Sequence, residues 1–98
     1  MPAYVVVTRE KTRNAAKLEE YKNLVPATFQ KHPAKFLARN GRCEVLEGPQ
    51  CESIIIIEFP SYEAAQAWYN STEYQAAREH RFQGGDYRFI LTEAIAAK

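Results

Sequence analysis

Four consecutive isoleucines, Ile54 to Ile57, constrain this chain more than any other feature. Successive side chains of a β-strand point to opposite faces, so an unbroken β-branched run puts apolar surface on both. Such a strand belongs in the middle of a sheet with a cover on each side. The run reads as a strand over Ser53–Phe59, with Glu58 its one charged residue. It is far too short to cross a bilayer. The rest of the chain must therefore supply flanking strands and two covering layers.

The flanking segments supply them. Residues 3–8, Ala-Tyr-Val-Val-Val-Thr, read as a first strand. A polar stretch, Arg9 to Arg13, leads to Asn14 as a helix N-cap. Leu18, Tyr21, Val25 and Phe29 then recur at helical spacing on one face. Pro26 lacks the N–H that would bond the Lys22 carbonyl and predicts a kink, and Pro33 predicts the helix end. Lys35–Ala38 starts a second strand, Asn40-Gly41 allows a bend or bulge, and Cys43–Leu46 continues it. Gly48-Pro49 is a turn before the isoleucine strand. Ser61 caps a helix with Ala64, Ala65, Trp68 and Tyr69 inward. Asn70-Ser71 interrupts it, and Ser71 caps a second piece from Thr72 to about Arg81. Gly84-Gly85 breaks that piece, Asp86–Glu93 is the last strand, and Ala94–Lys98 is a tail.

The order is β-α-β-β-α-β with the second helix broken in two: a single α+β domain of the ferredoxin-like type over residues 1–98. Right-handed crossovers place the third strand between the first and second, giving a four-stranded antiparallel sheet with helices on one face. The other face is too apolar to be left bare, with Val5, Val7, Ile55 and Ile57 offered as its residues for one choice of alternation. A second copy of the chain, packed sheet to sheet, would supply the missing cover, so the expected partner is the chain itself. Thirteen basic against twelve acidic residues give a net charge of +1, without the basic field that nucleic-acid binding needs. No membrane partner is expected, and with no signal peptide ahead of the first strand a cytoplasmic location follows by default. Cys43 and Cys51 lack a zinc or redox spacing and read as two reduced thiols.

Three segments carry a family resemblance. They are Phe36-Leu37-Ala38-Arg39-Asn40-Gly41 followed by Glu47-Gly48; Ile57-Glu58-Phe59-Pro60-Ser61 with Ala64-Ala65 and Trp68-Tyr69; and Ser71-Thr72-Glu73-Tyr74-Gln75 with Arg81 beyond. In these the chain resembles domain-of-unknown-function family 1330, of the dimeric α+β barrel superfamily. The resemblance runs from Tyr4 to Glu93. It departs at Pro33, Ala34 and Asn40, where that family usually carries glycine. It implies the fold and a homodimer; it implies no reaction.

Several residues could carry chemistry, each with a structural alternative. Arg39 and Arg81, which match arginines of the resembled family, could clamp a carboxylate or could pair with Glu44, Glu58 or Asp86. Glu58 could act as a general base or close its strand with an ion pair. His32 and His80 could serve as bases near neutral pH, yet both fall near helix C-termini, where imidazolium is favoured anyway. No HxH or HxxxH spacing suggests a metal, and no GxGxxG, P-loop, GxSxG or HExxH is present, so neither metal nor cofactor is expected. Tyr21, Tyr62, Trp68, Tyr69 and Tyr74, with Tyr4, could line an aromatic cavity or fill the core. Three functions follow: a binder of a small acidic or aromatic metabolite between sheet and helices; a cofactor-independent monooxygenase or isomerase, by analogy with other dimeric α+β barrels; or a structural or regulatory dimerisation module. An enclosed pocket holding a charged group separates the first two from the third.

Overall fold

A computed structural model describes residues 1–96. The elements are β1 (Ala3–Thr12), α1 (Ala15–Thr28), β2 (Lys35–Arg39), β3 (Ser53–Phe59), α2 (Tyr62–Tyr69), α3 (Thr72–Gly84) and β4 (Gly85–Glu93). The four strands order as β2-β3-β1-β4, all neighbours antiparallel, with β3 between β1 and β2 as the crossover argument requires. The expected tail falls partly outside the described residues, at 97 and 98.

Alternation along the strands divides the sheet cleanly. Ala3, Val5 and Val7 of β1 are buried, as are Ser53, Ile57 and Phe59 of β3, beneath the helices. Tyr4, Val6 and Thr8 face the other way, beside Glu58, Ile56 and Ile54, their pairing partners on β3. The four residues named for the bare face, Val5, Val7, Ile55 and Ile57, therefore belong under the helices. The open face instead carries a row across all four strands, Ala38–Ile56–Val6–Ile90.

Four local expectations shift. β1 runs on to Thr12, because Arg9, Lys11 and Thr12 pair with Tyr87, Asp86 and Gly85 of β4 past an irregularity at residue 10. α1 ends at Thr28, five residues short of Pro33. There the Thr28 hydroxyl donates to the Val25 carbonyl (2.6 Å), and the Phe29 amide turns to Pro26 O (3.2 Å). A side chain that takes up a backbone acceptor competes with the helix ladder and tightens its last turn. β2 stops at Arg39, and Cys43–Leu46 is irregular chain. The bulge lies between Phe36 and Ala38, while Asn40 supplies a left-handed φ of 55° where the strand ends.

α1 is held to α3. The amides of Arg13 and Asn14 both donate to Gly84 O (2.8 and 2.9 Å). A Cβ on Gly84 would stand 2.5 Å from the Leu18 side chain, so only glycine lets the two segments meet. α2 lies on the sheet, whereas α1 approaches α3 far more closely than it approaches the strands. Space is left between α1 and the sheet.

Candidate functional site

That space is a cavity of about 800 Å³, open on one side. Leu18, Tyr21 and Val25 of α1 form one wall, Val7, Ile55, Ile57 and Phe89 the sheet wall, and Phe29, Phe36 and Trp68 the far end. The helical spacing of Leu18, Tyr21 and Val25 is what aims them together. All three are only half-buried, as a wall facing space should be. Trp68 is buried and stacks on Phe29, ring centroids 5.1 Å apart and 10° from parallel. Its Nε1 donates to Thr28 Oγ1 (3.0 Å), which satisfies an indole N–H that would otherwise be a buried orphan.

Charge is confined to the rim, where Arg9, Glu19, Lys22 and Arg39 contribute. Arg9 is already engaged with Glu52, its Nε 3.0 Å from Oε1. Glu52 also accepts from the Thr12 hydroxyl (2.6 Å) and amide (3.1 Å), and these bonds, more than Arg9, hold its carboxyl below the usual carboxylate range. Sequence reasoning missed this clasp, since residues 43 apart meet only through the β1–β3 pairing. Arg39 ends β2 with its guanidinium over the Phe36 ring, 4.6 Å from the centroid. Among the described residues it has no ion-pair partner.

Arg81 lies deeper, on α3, only 4% exposed. Its guanidinium stacks on Phe89 (4.2 Å) and approaches Phe82 and Tyr87. The acidic partners proposed for it and Arg39 do not serve: Asp86 pairs with Arg13, and neither Glu44 nor Glu58 forms an ion pair among the described residues. Arg81 is a buried cation held by aromatic faces alone, with no hydrogen-bond partner for its Nε among the described residues. Beside it, Tyr74 is fully buried and its hydroxyl lies 2.7 Å from that of Tyr21. Burial pushes the Tyr74 phenol up to about 12, with the Arg81 charge pulling the other way. Burial, reinforced by Tyr74, holds Tyr21 well above the ordinary phenol value. Sequence reasoning named Tyr21, Tyr74 and Arg81 without bringing the two hydroxyls together.

The remaining candidates lie elsewhere. Tyr69 borders a smaller cleft of about 310 Å³ with Val5, Ala65 and Leu91, and Arg78 stacks over its ring at 5.1 Å. Tyr4 and Glu58 are cross-strand partners on the open face, on the opposite side of the sheet from Trp68. His32 is half-buried in the loop after α1. His80 Nδ1 lies 2.8 Å from Glu20 Oε2 between α3 and α1. Cys43 and Cys51 are free thiols. No group of three or more His, Cys, Asp or Glu is gathered for a metal among the described residues.

A four-stranded antiparallel sheet with helices on one face and a cavity under the first of them defines a ferredoxin-like α+β protein. More narrowly, the chain belongs to the family described as Domain of unknown function (DUF1330), which it matches over residues 2–95. A protein of unknown function from Rhodopseudomonas palustris is 21% identical, with a TM-score of 0.73 over 98% of this chain and 84% of that one. A dimeric ferredoxin-like protein of unknown function from Jannaschia sp. CCS1 is 13% identical, with a TM-score of 0.76 over 96% of this chain and all of that one. SnoaB, a cofactor-independent oxygenase from Streptomyces nogalater, is 12% identical, with a TM-score of 0.65 over 98% and 95% of the two chains. At such identities the likeness is one of fold. No curated protein matches the chain.

Proposed function

We propose that this protein is a homodimeric binder of a small acidic or aromatic metabolite, held between α1 and the sheet. The observation that carries the reading is the cavity itself. Its volume of about 800 Å³ falls in the range of ligand pockets, which are mostly apolar with a few placed polar groups. Aromatic walls suit a flat ring, and the Arg39 guanidinium at the rim suits a carboxylate, which it can hold with two parallel hydrogen bonds. Glu58, His32 and His80 are not among the cavity-lining residues, which favours binding over turnover by any of those bases. The homodimer reading is supported by the apolar row Ala38–Ile56–Val6–Ile90 on the open face and by the dimeric ferredoxin-like protein of similar fold.

Trp68 is the single tryptophan and a wall residue, so its fluorescence reports occupancy directly. Titration with benzoate and other aromatic carboxylates is expected to change that emission saturably. Arg39→Lys should weaken binding about tenfold, since the two-pronged contact is lost while the charge stays. A screen of aromatic and aliphatic carboxylates in which none alters Trp68 emission would overturn the binding reading. Equal affinity in Arg39→Lys would remove Arg39 as the anchor.

A further inference from the structure

We propose that Tyr74 and Tyr21, set beside the buried Arg81 charge, form a two-hydroxyl relay whose outer end, the Tyr21 hydroxyl, donates to a phenolate or enolate oxygen of the ligand. The proposal rests on reading the cavity as a ligand site, and it adds a second, deeper contact that selects ligand chemistry. Tyr74 and Arg81 are two helical turns apart and so share a face of α3. Tyr21 comes from α1, its ring edge-on to Tyr74 with centroids 6.2 Å apart and an interplanar angle of 77°. The hydroxyls are 2.7 Å apart, and either could donate to the other in isolation.

Burial breaks that symmetry. Tyr74 is fully buried, and its hydroxyl has no side-chain hydrogen-bond partner but Tyr21 among the described residues, so a Tyr74 proton turned away from Tyr21 would be a buried orphan donor. The Tyr74 hydroxyl therefore donates to the Tyr21 oxygen. Tyr21, accepting from Tyr74, keeps its own proton for a third party, and Tyr21 is a wall residue of the cavity. Both phenols stay protonated well above neutral pH, which makes the pair a donor chain and not a base.

The charge behind the chain sets the preference. Arg81 is buried, unpaired with any carboxylate among the described residues, and lies against Phe89, which also faces the cavity. A buried cation without an anion is unfavourable, so negative charge arriving at the end of the relay is stabilised. One hydroxyl proton fits a single oxygen, whereas the Arg39 fork fits a carboxylate. The ligand class is an aromatic or conjugated compound with an ionisable hydroxyl, and hydroxylated aromatic acids satisfy both contacts.

The test uses 4-nitrophenol, whose visible absorption reports its ionisation, at a pH where the free phenol is mostly protonated. Benzoate binding, followed by Trp68 emission, runs in parallel. Bound nitrophenol should be more ionised than free nitrophenol in the wild type. Tyr21→Phe, confirmed folded by circular dichroism, should bind nitrophenolate about tenfold more weakly and lose less affinity for benzoate, which Arg39 anchors. Tyr74→Phe, which leaves Tyr21 in place but removes the hydroxyl that donates to it, should reduce the ionised fraction; it decides the matter if Tyr21→Phe does not fold. Benzoate binding without nitrophenol binding would overturn the relay and leave the cavity reading standing. So would bound nitrophenol no more ionised than free, or variants indistinguishable from wild type. Binding of neither probe would overturn both.

Discussion

Tyr21 and Tyr74 show how one residue's setting can be read out in solution. Both phenols are neutral in the folded protein at pH values where an exposed phenol has begun to ionise. Folding raises their pKa, so their contribution to stability is full below about pH 10, the unfolded value. It is lost as pH rises from there through the folded values, about 12 for Tyr74. Two of the six tyrosines should therefore ionise last in an ultraviolet titration, close to alkaline unfolding. Tyr74→Phe should flatten the loss of stability above about pH 10. Six phenols ionising together near their ordinary value would contradict the hydrogen-bonded pair. Neither environment can be inferred from the local sequence, because tyrosines 53 residues apart meet only once α1 and α3 pack.

Among the elements, Ser71 holds the most economical junction. Its Oγ accepts from the Tyr74 amide (3.2 Å) at the start of α3 and donates to the Trp68 carbonyl (2.7 Å) at the end of α2. One hydroxyl thus satisfies an orphan donor of one helix and adds a second bond to a terminal carbonyl of the other, which also accepts from the Ser71 amide (3.1 Å). Ser71→Ala should cost about 1–2 kcal/mol, a fall of about 4–8 °C in Tm for each kcal/mol in a domain of this size. Ser71→Asp should recover part of it by restoring the cap alone. Thermal denaturation followed by circular dichroism checks both; an unchanged Tm in Ser71→Ala would refute the shared cap. Such caps were readable, since Asn14, Ser61 and Ser71 each precede a helical pattern and each side chain does accept from the first turn. The end of α1 was not, because it depends on Thr28 bonding back to Val25 and forward to Trp68.

For the whole molecule the two-layer design has a consequence. The thinnest dimension, 17 Å, is one sheet and one helical layer, so nothing in the described chain covers the second face. Val6 sits at the centre of that face, with Ile56 and Ile90 as its cross-strand neighbours. Wild-type protein is expected to be a dimer at micromolar concentration, and Val6→Glu a monomer of lower stability, since a carboxylate there could not be buried without a partner. Light scattering and thermal melts at two concentrations distinguish the cases. A folded wild-type monomer at micromolar concentration, or an intact Val6→Glu dimer, would refute sheet-face association.

Periodicity, capping and turn chemistry along the chain were enough to determine the element order, the central place of the isoleucine strand and the need for two covers. These are local or near-local properties, expressed in backbone preference and side-chain alternation. Tertiary structure alone decided which alternation faces the helices. It put Tyr4 and Glu58 on the open side and Val7, Ile55 and Ile57 on the cavity side. A bare pattern of isoleucines is apolar in both phases and cannot distinguish them. Tertiary structure also made the cavity, because Gly84 draws α1 onto α3 and away from the strands. And it left Arg81 against aromatic rings with Asp86 committed to Arg13, a choice of partner that depends on distances no sequence spacing contains.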